Sequence, residues 1–164
     1  MFSVRSAKTS DVPAINRIAA PLIADRVLLG KELVELYESI QEFVVAETDG
    51  VVVGFGALHV MWEDLGEIRT LAVDREYLRR GIGAAMLREL LERAKLLGIQ
   101  RVFCLTFETE FFHNHGFETI SDIPIDPETY LELVRSHDEG VAEFLDLARV
   151  KQNTLGNSRM LKQL

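Results

Sequence analysis

The sequence is poor in cysteine and has no long apolar run. Cys104 is the only cysteine among 164 residues, so an intrachain disulfide is excluded. The first residues lack the charged region and the apolar stretch of a secretory signal peptide, and no 18 consecutive apolar residues occur. We therefore expect a cytoplasmic protein that does not bind a membrane, with Cys104 as a small core residue.

Basic residues are also scarce relative to acidic ones. The 18 lysines and arginines are outnumbered by 26 aspartates and glutamates, which gives a formal net charge of −8. Because duplex nucleic acid is bound through phosphate neutralisation by Lys and Arg, we expect no nucleic-acid partner. Repeats and low-complexity tracts are missing, and a 48% hydrophobic composition is enough to bury a core. We therefore predict a single globular domain over residues 1–164.

The spacing of apolar and turn residues predicts the order β-α-α-β-β-β-α-β-α-β, an excursion over residues 121–156, and a final strand over 158–164. Asp49-Gly50 lies between two β-branched runs and predicts a two-residue hairpin, since both residue types tolerate positive φ. Consecutive antiparallel strands followed by a β-α-β crossover indicate a mixed sheet in an α+β fold.

Three helical segments carry more detailed expectations. A helix over residues 31–40 should turn Leu33, Val34 and Tyr37 inward, and a helix over 81–97 should bury Leu97 before ending at Gly98. In the helical or irregular excursion, the predicted apolar face comprises Val141, Phe144, Leu145 and Ala148. Its acidic stretch, residues 137–146, is interpreted as a solvated amphipathic face or a dimer surface.

The segment LAVDREYLRRGIGAAML combines a strand, a basic glycine turn and a helix start. The unpaired amides and the dipole at a helix N-terminus favour an anion, and glycine lets a ligand approach the backbone closely. Arg79 and Arg80 add charge suited to a polyphosphate. An ordinary strand-to-helix turn is the alternative interpretation.

The element order, with this turn after the fourth strand and a Gly-Phe ending to the helix after the fifth, resembles the GNAT acetyltransferase superfamily. Its turn motif is Arg or Gln, two free positions, Gly, one free position, then Gly or Ala. Gly81 and Gly83 match this motif, whereas Leu78 stands where Arg or Gln is usual. The resemblance implies the GNAT fold, a mixed, mostly antiparallel seven-stranded sheet flanked by helices.

The same resemblance implies acetyl-CoA as the co-substrate. Its pyrophosphate would lie on the turn amides, and its pantetheine would run beside the preceding strand. The implied acetyl-CoA-binding residues are Leu71, Ala72, Val73, Arg79, Arg80, Gly81, Ile82, Gly83 and Ala84.

Four further segments narrow the resemblance: VLLGKELVELYESIQEFVVAE, LGEIRTLAV, RVFCLTFETEFFHNHGF and LGNSRMLKQL. They are similar to the acetyltransferase part of bacterial N-acetylglutamate synthases, and the length is similar to the short, stand-alone type. This implies acetylation of the α-amino group of L-glutamate, a small-molecule substrate, at the head of arginine biosynthesis. Two alternatives remain open: acetylation of another amine (glutamine, a polyamine or a protein amino terminus), and a non-catalytic protein that senses acetyl-CoA. A homodimer is also possible under each of these functions.

Acetyl transfer needs a base for the ammonium group and a donor for the developing oxyanion. Strand alternation would place Glu67, Arg69, Leu71 and Val73 on one face, which makes Glu67 the candidate base. A simple ion pair between Glu67 and Arg69 is the alternative. A backbone N–H near Val73 is the candidate oxyanion donor. Phe112 corresponds to the position where many GNAT enzymes carry a tyrosine acid.

A glutamate acceptor carries two carboxylates, so basic side chains are expected around it. The candidate acceptor-binding residues are Arg26, Lys31, Arg69, Ser158 and Arg159. Gly156 stands where the longer synthases have an arginine, and each basic residue alone could instead be a solvated surface charge. Glutamate predicts a basic groove, whereas polyamine or protein acceptors predict an acidic one. His113 and His115 lack partners at ligand spacing, so we expect no metal site.

Overall fold

A seven-stranded mixed sheet forms the centre of the computed structural model, which describes residues 1–145 and 156–164. The strands are β1 (Phe2–Ser6), β2 (Phe43–Thr48), β3 (Val51–Trp62), β4 (Leu65–Val73), β5 (Arg101–Thr106), β6 (Glu118–Thr119) and β7 (Ser158–Gln163). Their spatial order is β1-β2-β3-β4-β5-β7-β6, and β4 and β5 pair in parallel while the other neighbours are antiparallel. The predicted mixed, mostly antiparallel seven-stranded sheet is confirmed.

Helices cover both faces of this sheet. They are α1 (Val12–Ala24), α2 (Leu33–Glu38), α3 (Ile82–Leu96), α4 (Thr109–Asn114), α5 (Pro127–Leu133) and α6 (Glu139–Phe144). On one face, Met86 and Leu90 of α3 pack against Ile68 of β4. The other face has two apolar clusters, one centred on α1 and one on α5 and α6. Cys104 is buried in the α3 cluster, as predicted.

Two predicted inward faces are wrong. Leu33, Val34 and Tyr37 are 51%, 59% and 46% exposed, whereas Leu36 is buried. Because α2 spans six residues, it can bury only one narrow stripe, and Leu36 occupies it against the α1 cluster. Leu97 is 62% exposed because α3 ends at Leu96, so Leu97 belongs to the turn into Gly98 and not to the helix face.

The described part of the acidic stretch has the predicted apolar face, and His137 and Glu139 are exposed, but Glu143 is buried and does not belong to a solvated face. Val141, Phe144 and Leu145 are buried against the sheet in one cluster with Leu65 and Phe103. The ring centroids of Phe103 and Phe144 lie 4.7 Å apart in an edge-on arrangement. The short helix α6 is therefore part of the core, because its three apolar residues, Val141, Ala142 and Phe144, are all buried. Asp146 and Ala148 lie outside the described residues.

None of the described helices is long and apolar enough to cross a membrane.

Candidate active site

The central feature of the site is a gap between β4 and β5. Their parallel pairing starts at Leu65–Arg101 and ends at Glu67–Phe103. Beyond this point β4 continues to Val73 without a β5 partner, while β5 continues to pair with β7. Among the described residues no strand pairs with this edge of β4 after Glu67, so an extended ligand could add there as a strand.

The backbone direction at the end of β4 follows from one hydrogen bond. The amide of Asp74 donates to the carbonyl oxygen of Val53, on the β3 side, over 2.8 Å. Because successive strand amides point to opposite edges, the amide of Val73 points into the gap.

A β-bulge interrupts β4 at Thr70. Arg69 pairs with Ala57 and Ala72 pairs with Phe55, so two residues of β4 oppose Gly56 alone. Thr70 has φ of 51°, in the left-handed region that β-branched residues avoid. The bulge brings Leu71 onto the β3 backbone, where a Cβ on Gly56 would lie 2.6 Å from its side chain.

The bulge also changes which side chains share a face. Leu71 and Val73 pack into the α3 cluster, whereas Glu67 and Arg69 lie against Gly140 of α6 on the opposite face. The prediction that these four residues share one face is therefore wrong. One inserted residue reverses the alternation of every side chain after it.

The glycine turn leads into the N-terminus of α3. Arg79 and Gly81 have φ of 62° and 78°, and Ala85 donates the first helical hydrogen bond, to the Gly81 carbonyl. The preceding amides, from Ile82 to Ala84, are the donors that a helix start leaves to other partners. Arg80 stacks over the Tyr77 ring at 4.9 Å, and both arginines are exposed. The turn thus combines backbone donors with two exposed cations, an arrangement suited to a polyphosphate.

A buried charge cluster lies on the α6 side of β4. The Nε atom of Arg69 donates to Oε2 of Glu67 over 2.8 Å, and its Nη1 donates to Oδ2 of Asp138 over 2.9 Å. Burial opposes the charge of Arg69, but these two carboxylates outweigh it and raise its pKa. Burial likewise opposes the charge of Asp138, and the Arg69 guanidinium still lowers the Asp138 pKa well below its usual range. The ion pair given above as the alternative for Glu67 is present.

Helix α6 closes over this cluster. Asp138 caps the helix by accepting from the Val141 amide at 3.0 Å. A Cβ on Gly140 would lie 2.6 Å from Nη2 of Arg69 and 2.9 Å from Oε2 of Glu67, so only glycine allows this approach. Glu143 is also buried, and burial together with the charges of Glu67 and Glu139 raises its pKa to about 7. Sequence reasoning missed all three residues; the N-cap position of Asp138 was the available signal, and it does not reveal the Arg69 contact.

A cavity of about 200 Å³ lies between α2, β3 and β4. It is bordered by Arg69, Thr70 and His59, and the Nδ1 atom of His59 lies 2.8 Å from Oε1 of Glu42. Among the described residues, its charged lining consists of Glu35, Glu38, Glu42 and Asp138 against Lys31 and Arg69. This part of the lining is acidic on balance, which differs from the expected basic groove.

The predicted acceptor residues do not all meet at this cavity. Lys31 and Arg69 line it. Arg159 contacts the same region from β7, where its Nη2 donates to the Glu143 carbonyl over 2.9 Å. Arg26 is exposed beyond the end of α1, and Ser158, next to Arg159 on the strand, pairs with Thr106 and points to the opposite face.

Helix α4 supplies no phenol at the gap. Phe112 is buried and packs edge-on against Phe117, with 5.1 Å between ring centroids. Phe111 lies beside the glycine turn, 3.7 Å from where a Cβ on Gly83 would be. Within residues 1–145 and 156–164, no group of three or more His, Cys, Asp or Glu side chains could hold a metal ion.

Comparison with known proteins consistently finds acetyltransferases. Residues 21–117 match the family model described as Acetyltransferase (GNAT) family. An amino-acid acetyltransferase of Mycobacterium tuberculosis is 58% identical over 161 residues, which cover 96% of this chain and 92% of that protein.

Two solved structures extend the comparison. A Mycobacterium tuberculosis protein in complex with CoA and a ligand labelled NLQ superimposes with a TM-score of 0.94 and 57% identity, covering 99% of both chains. N-acetylglutamate synthase from Neisseria gonorrhoeae, complexed with coenzyme A and N-acetyl-glutamate, has a TM-score of 0.79 and 30% identity. The match covers all of this chain and 35% of the synthase, so this chain spans about a third of that protein's length.

Proposed function

Because this chain belongs to the GNAT acetyltransferase family, we propose that it acetylates the α-amino group of a free amino acid, with L-glutamate as the first candidate. It is an acyltransferase, and acetyl-CoA is its co-substrate. The observation that carries the proposal is that Arg69 and Thr70, just beyond the point where β4 leaves β5, line the 200 Å³ cavity. A cavity of that size fits a small metabolite next to an extended thioester.

The acetyl-CoA site is proposed along β4 and the start of α3. Acetyl-CoA supplies an acetyl thioester whose carbonyl carbon the amine attacks. The turn amides from Arg79 to Ala84 would hold the pyrophosphate, with the arginine side chains adding charge. Leu71, Ala72 and Val73 would pair with the pantetheine through their backbone while their side chains stay packed. The Val73 amide, which points into the gap, would donate to the developing oxyanion, a contact typically worth ~10²–10³ in rate.

Glu67 is the proposed base. The acceptor enters as an ammonium and must lose a proton before its nitrogen can attack. Arg69 holds Oε2 of Glu67, so the proton would pass to Oε1, directly or through a water. The departing thiol has an ordinary pKa of about 8.5, so CoA can leave as the thiolate without a tyrosine acid.

The choice of glutamate is supported by the Neisseria gonorrhoeae synthase bound to N-acetyl-glutamate. Lys31 and Arg69 are the proposed carboxylate partners at the cavity, and Arg159, Arg26 and Ser158 are candidates outside its lining. Acetylation of glutamate would place the chain at the first step of arginine biosynthesis.

Glutamine is the second candidate, and the charge of the cavity favours it. Glu35, Glu38 and Glu42 border the cavity, and none of them is paired with Arg69, unlike Asp138. A neutral carboxamide would avoid the repulsion that a second carboxylate meets there, and its NH₂ group could donate to one of these glutamates.

A thiol-release assay separates the candidates. The protein is mixed with acetyl-CoA and, in turn, glutamate, glutamine and spermidine, and free CoA thiol is followed. Release with glutamate or glutamine supports the proposal. Release with spermidine alone would contradict it, and binding of acetyl-CoA without turnover on any amine would favour a sensor.

The single domain over residues 1–164, the cytoplasmic location and the homodimer stay predictions. Packing of α5 and α6 on the central sheet supports the first of them.

A further inference from the structure

Thr70 departs from ordinary geometry in two independent ways. Its Oγ1 atom is buried and has no hydrogen-bond partner among the residues that the structure describes. Its φ of 51° is unfavourable for a β-branched residue. Buried hydroxyls are ordinarily paired, and backbone strain of this kind concentrates at functional sites.

The fold alone gives no reason for a threonine here. A bulge residue with positive φ is most easily glycine, which adopts that conformation without strain. An apolar side chain of the same shape, such as valine, would fill the same space without burying an unpaired hydroxyl. Glycine would remove the strained φ and valine would remove the unpaired hydroxyl, yet the chain has a threonine with both unfavourable features.

The position of Thr70 is at the junction of the proposed substrates. It follows Arg69, whose guanidinium holds Glu67, and it precedes Leu71, the first proposed pantetheine-pairing residue. It borders the 200 Å³ acceptor cavity, and it also borders a smaller cavity of about 20 Å³ beneath α1. The smaller cavity could hold one water, but apolar side chains such as Ile15, Phe43 and Phe55 form most of its lining.

We propose that Oγ1 of Thr70 contacts the acceptor substrate and accepts a hydrogen bond from its α-amino group. This inference rests on the proposed function. A threonine hydroxyl offers two acceptor lone pairs and one donor, so it can hold an amine N–H while the nitrogen lone pair faces the thioester carbon. Thr70 gains and loses no proton in the reaction, because the proton of the ammonium passes to Glu67, directly or through a water.

Valine is the informative substitution, since it keeps the shape and removes the hydroxyl. In Thr70→Val, kcat/KM for the amino acid should fall about 10–100-fold, while KM for acetyl-CoA stays within twofold. The melting temperature of the free protein should rise by about 2–4 °C, because an unpaired buried hydroxyl is removed. Lower activity with higher stability is a combination that a purely structural threonine would not produce.

Serine and glycine complete the series. Thr70→Ser keeps the hydroxyl and should retain kcat/KM within about threefold, whereas Thr70→Gly relieves the strained φ and should lose activity as valine does. If the valine variant does not fold, comparison of the serine and glycine variants makes the same distinction.

Two results would overturn the inference while leaving the proposed function intact. One is a wild-type kcat/KM in the valine and glycine variants. The other is a fall in the melting temperature of Thr70→Val together with equal losses for both substrates, as expected if the hydroxyl holds a structural water. A wild-type protein that acetylates no amino acid would overturn both the proposed function and this inference.

Discussion

The guanidinium of Arg69 donates to the carboxylate of Glu67 over 2.8 Å, although the two residues are only two positions apart on β4. Both are buried, and Arg69 makes a second, two-pronged contact with Asp138 at the start of α6. Arg69 therefore holds the proposed base, Glu67, and Asp138 at the start of α6 holds Arg69. Changes at Glu67, Asp138, Gly140 and Glu143 should have different and separable effects.

Glu67→Gln should lower turnover about 10²–10⁴-fold at neutral pH, because the amide cannot take the proton of the acceptor. Activity should partly recover at high pH, where more of the free amine exists. The measurement is kcat/KM against pH. Glu47→Gln is the matched control, since Glu47 also pairs with an arginine, Arg5, at 2.6 Å but lies on β2. A wild-type pH–rate profile in Glu67→Gln would remove Glu67 as the base.

Asp138→Asn should destabilise the protein by about 1–3 kcal/mol, because Arg69 loses a charged partner inside the cluster. Asparagine still caps a helix, so Asp138→Ala should lose about 1 kcal/mol more. Since the folded state lowers the Asp138 pKa, the wild-type advantage is present above pH 4 and is lost as pH falls below that value.

Urea denaturation at pH 7 and pH 3 checks this second prediction. Asp126, the N-cap of α5, is the control: it accepts from the Thr129 amide but contacts no arginine in the described residues, so Asp126→Asn should cost less. Equal losses for the two asparagine variants would indicate that the Arg69 bond contributes nothing to stability.

Gly140→Ala should destabilise the protein by about 1–3 kcal/mol, because the added methyl group overlaps Arg69 and Glu67. Gly83→Ala is a matched control in a helix: its methyl group would meet Phe111 at an ordinary 3.7 Å, and alanine favours the helix. Denaturation curves should therefore move in opposite directions. A neutral Gly140→Ala would mean that α6 can move away from the cluster without loss.

Glu143→Gln should remove a pH dependence of stability. The folded-state pKa of Glu143 is about 7, against 4.5 for the ordinary carboxyl. Between these values the unfolded chain releases the proton while the folded protein keeps it, so raising the pH favours unfolding. The wild type should lose stability relative to Glu143→Gln from pH 4.5 to pH 7, and the difference should then level off. Parallel free energies of unfolding across that window would contradict the prediction.

The residue types at the turns were sufficient to predict those parts of the fold that depend only on neighbouring residues. Asp49 and Gly50 have φ of 49° and 78°, as the predicted hairpin requires, and Gly98 ends α3 with φ of 87°. The glycine turn before α3 and the strand Arg101–Thr106 also follow from local pattern. These features need only a few adjacent residues to be specified.

The acceptor side of the site could not be predicted in the same way. Threonine has no preference for positive φ, so LGEIRTLAV gives no signal of the bulge that sends Glu67 and Leu71 to opposite faces. Asp138 is 69 positions from Arg69, and only the packing of α6 on the sheet brings them together. Half of the acidic lining of the cavity, Glu35 and Glu38, comes from α2, whose orientation depends on the buried Leu36.

The most direct test of the account is identification of the reaction product. The protein is incubated with acetyl-CoA and either glutamate or glutamine, and the N-acetylated amino acid and free CoA are quantified by mass spectrometry. We predict an Nα-acetyl amino acid formed in equal amount with CoA, and its loss in Glu67→Gln at neutral pH. CoA release without an acetylated amino acid, or acetylation of a polyamine only, would contradict it.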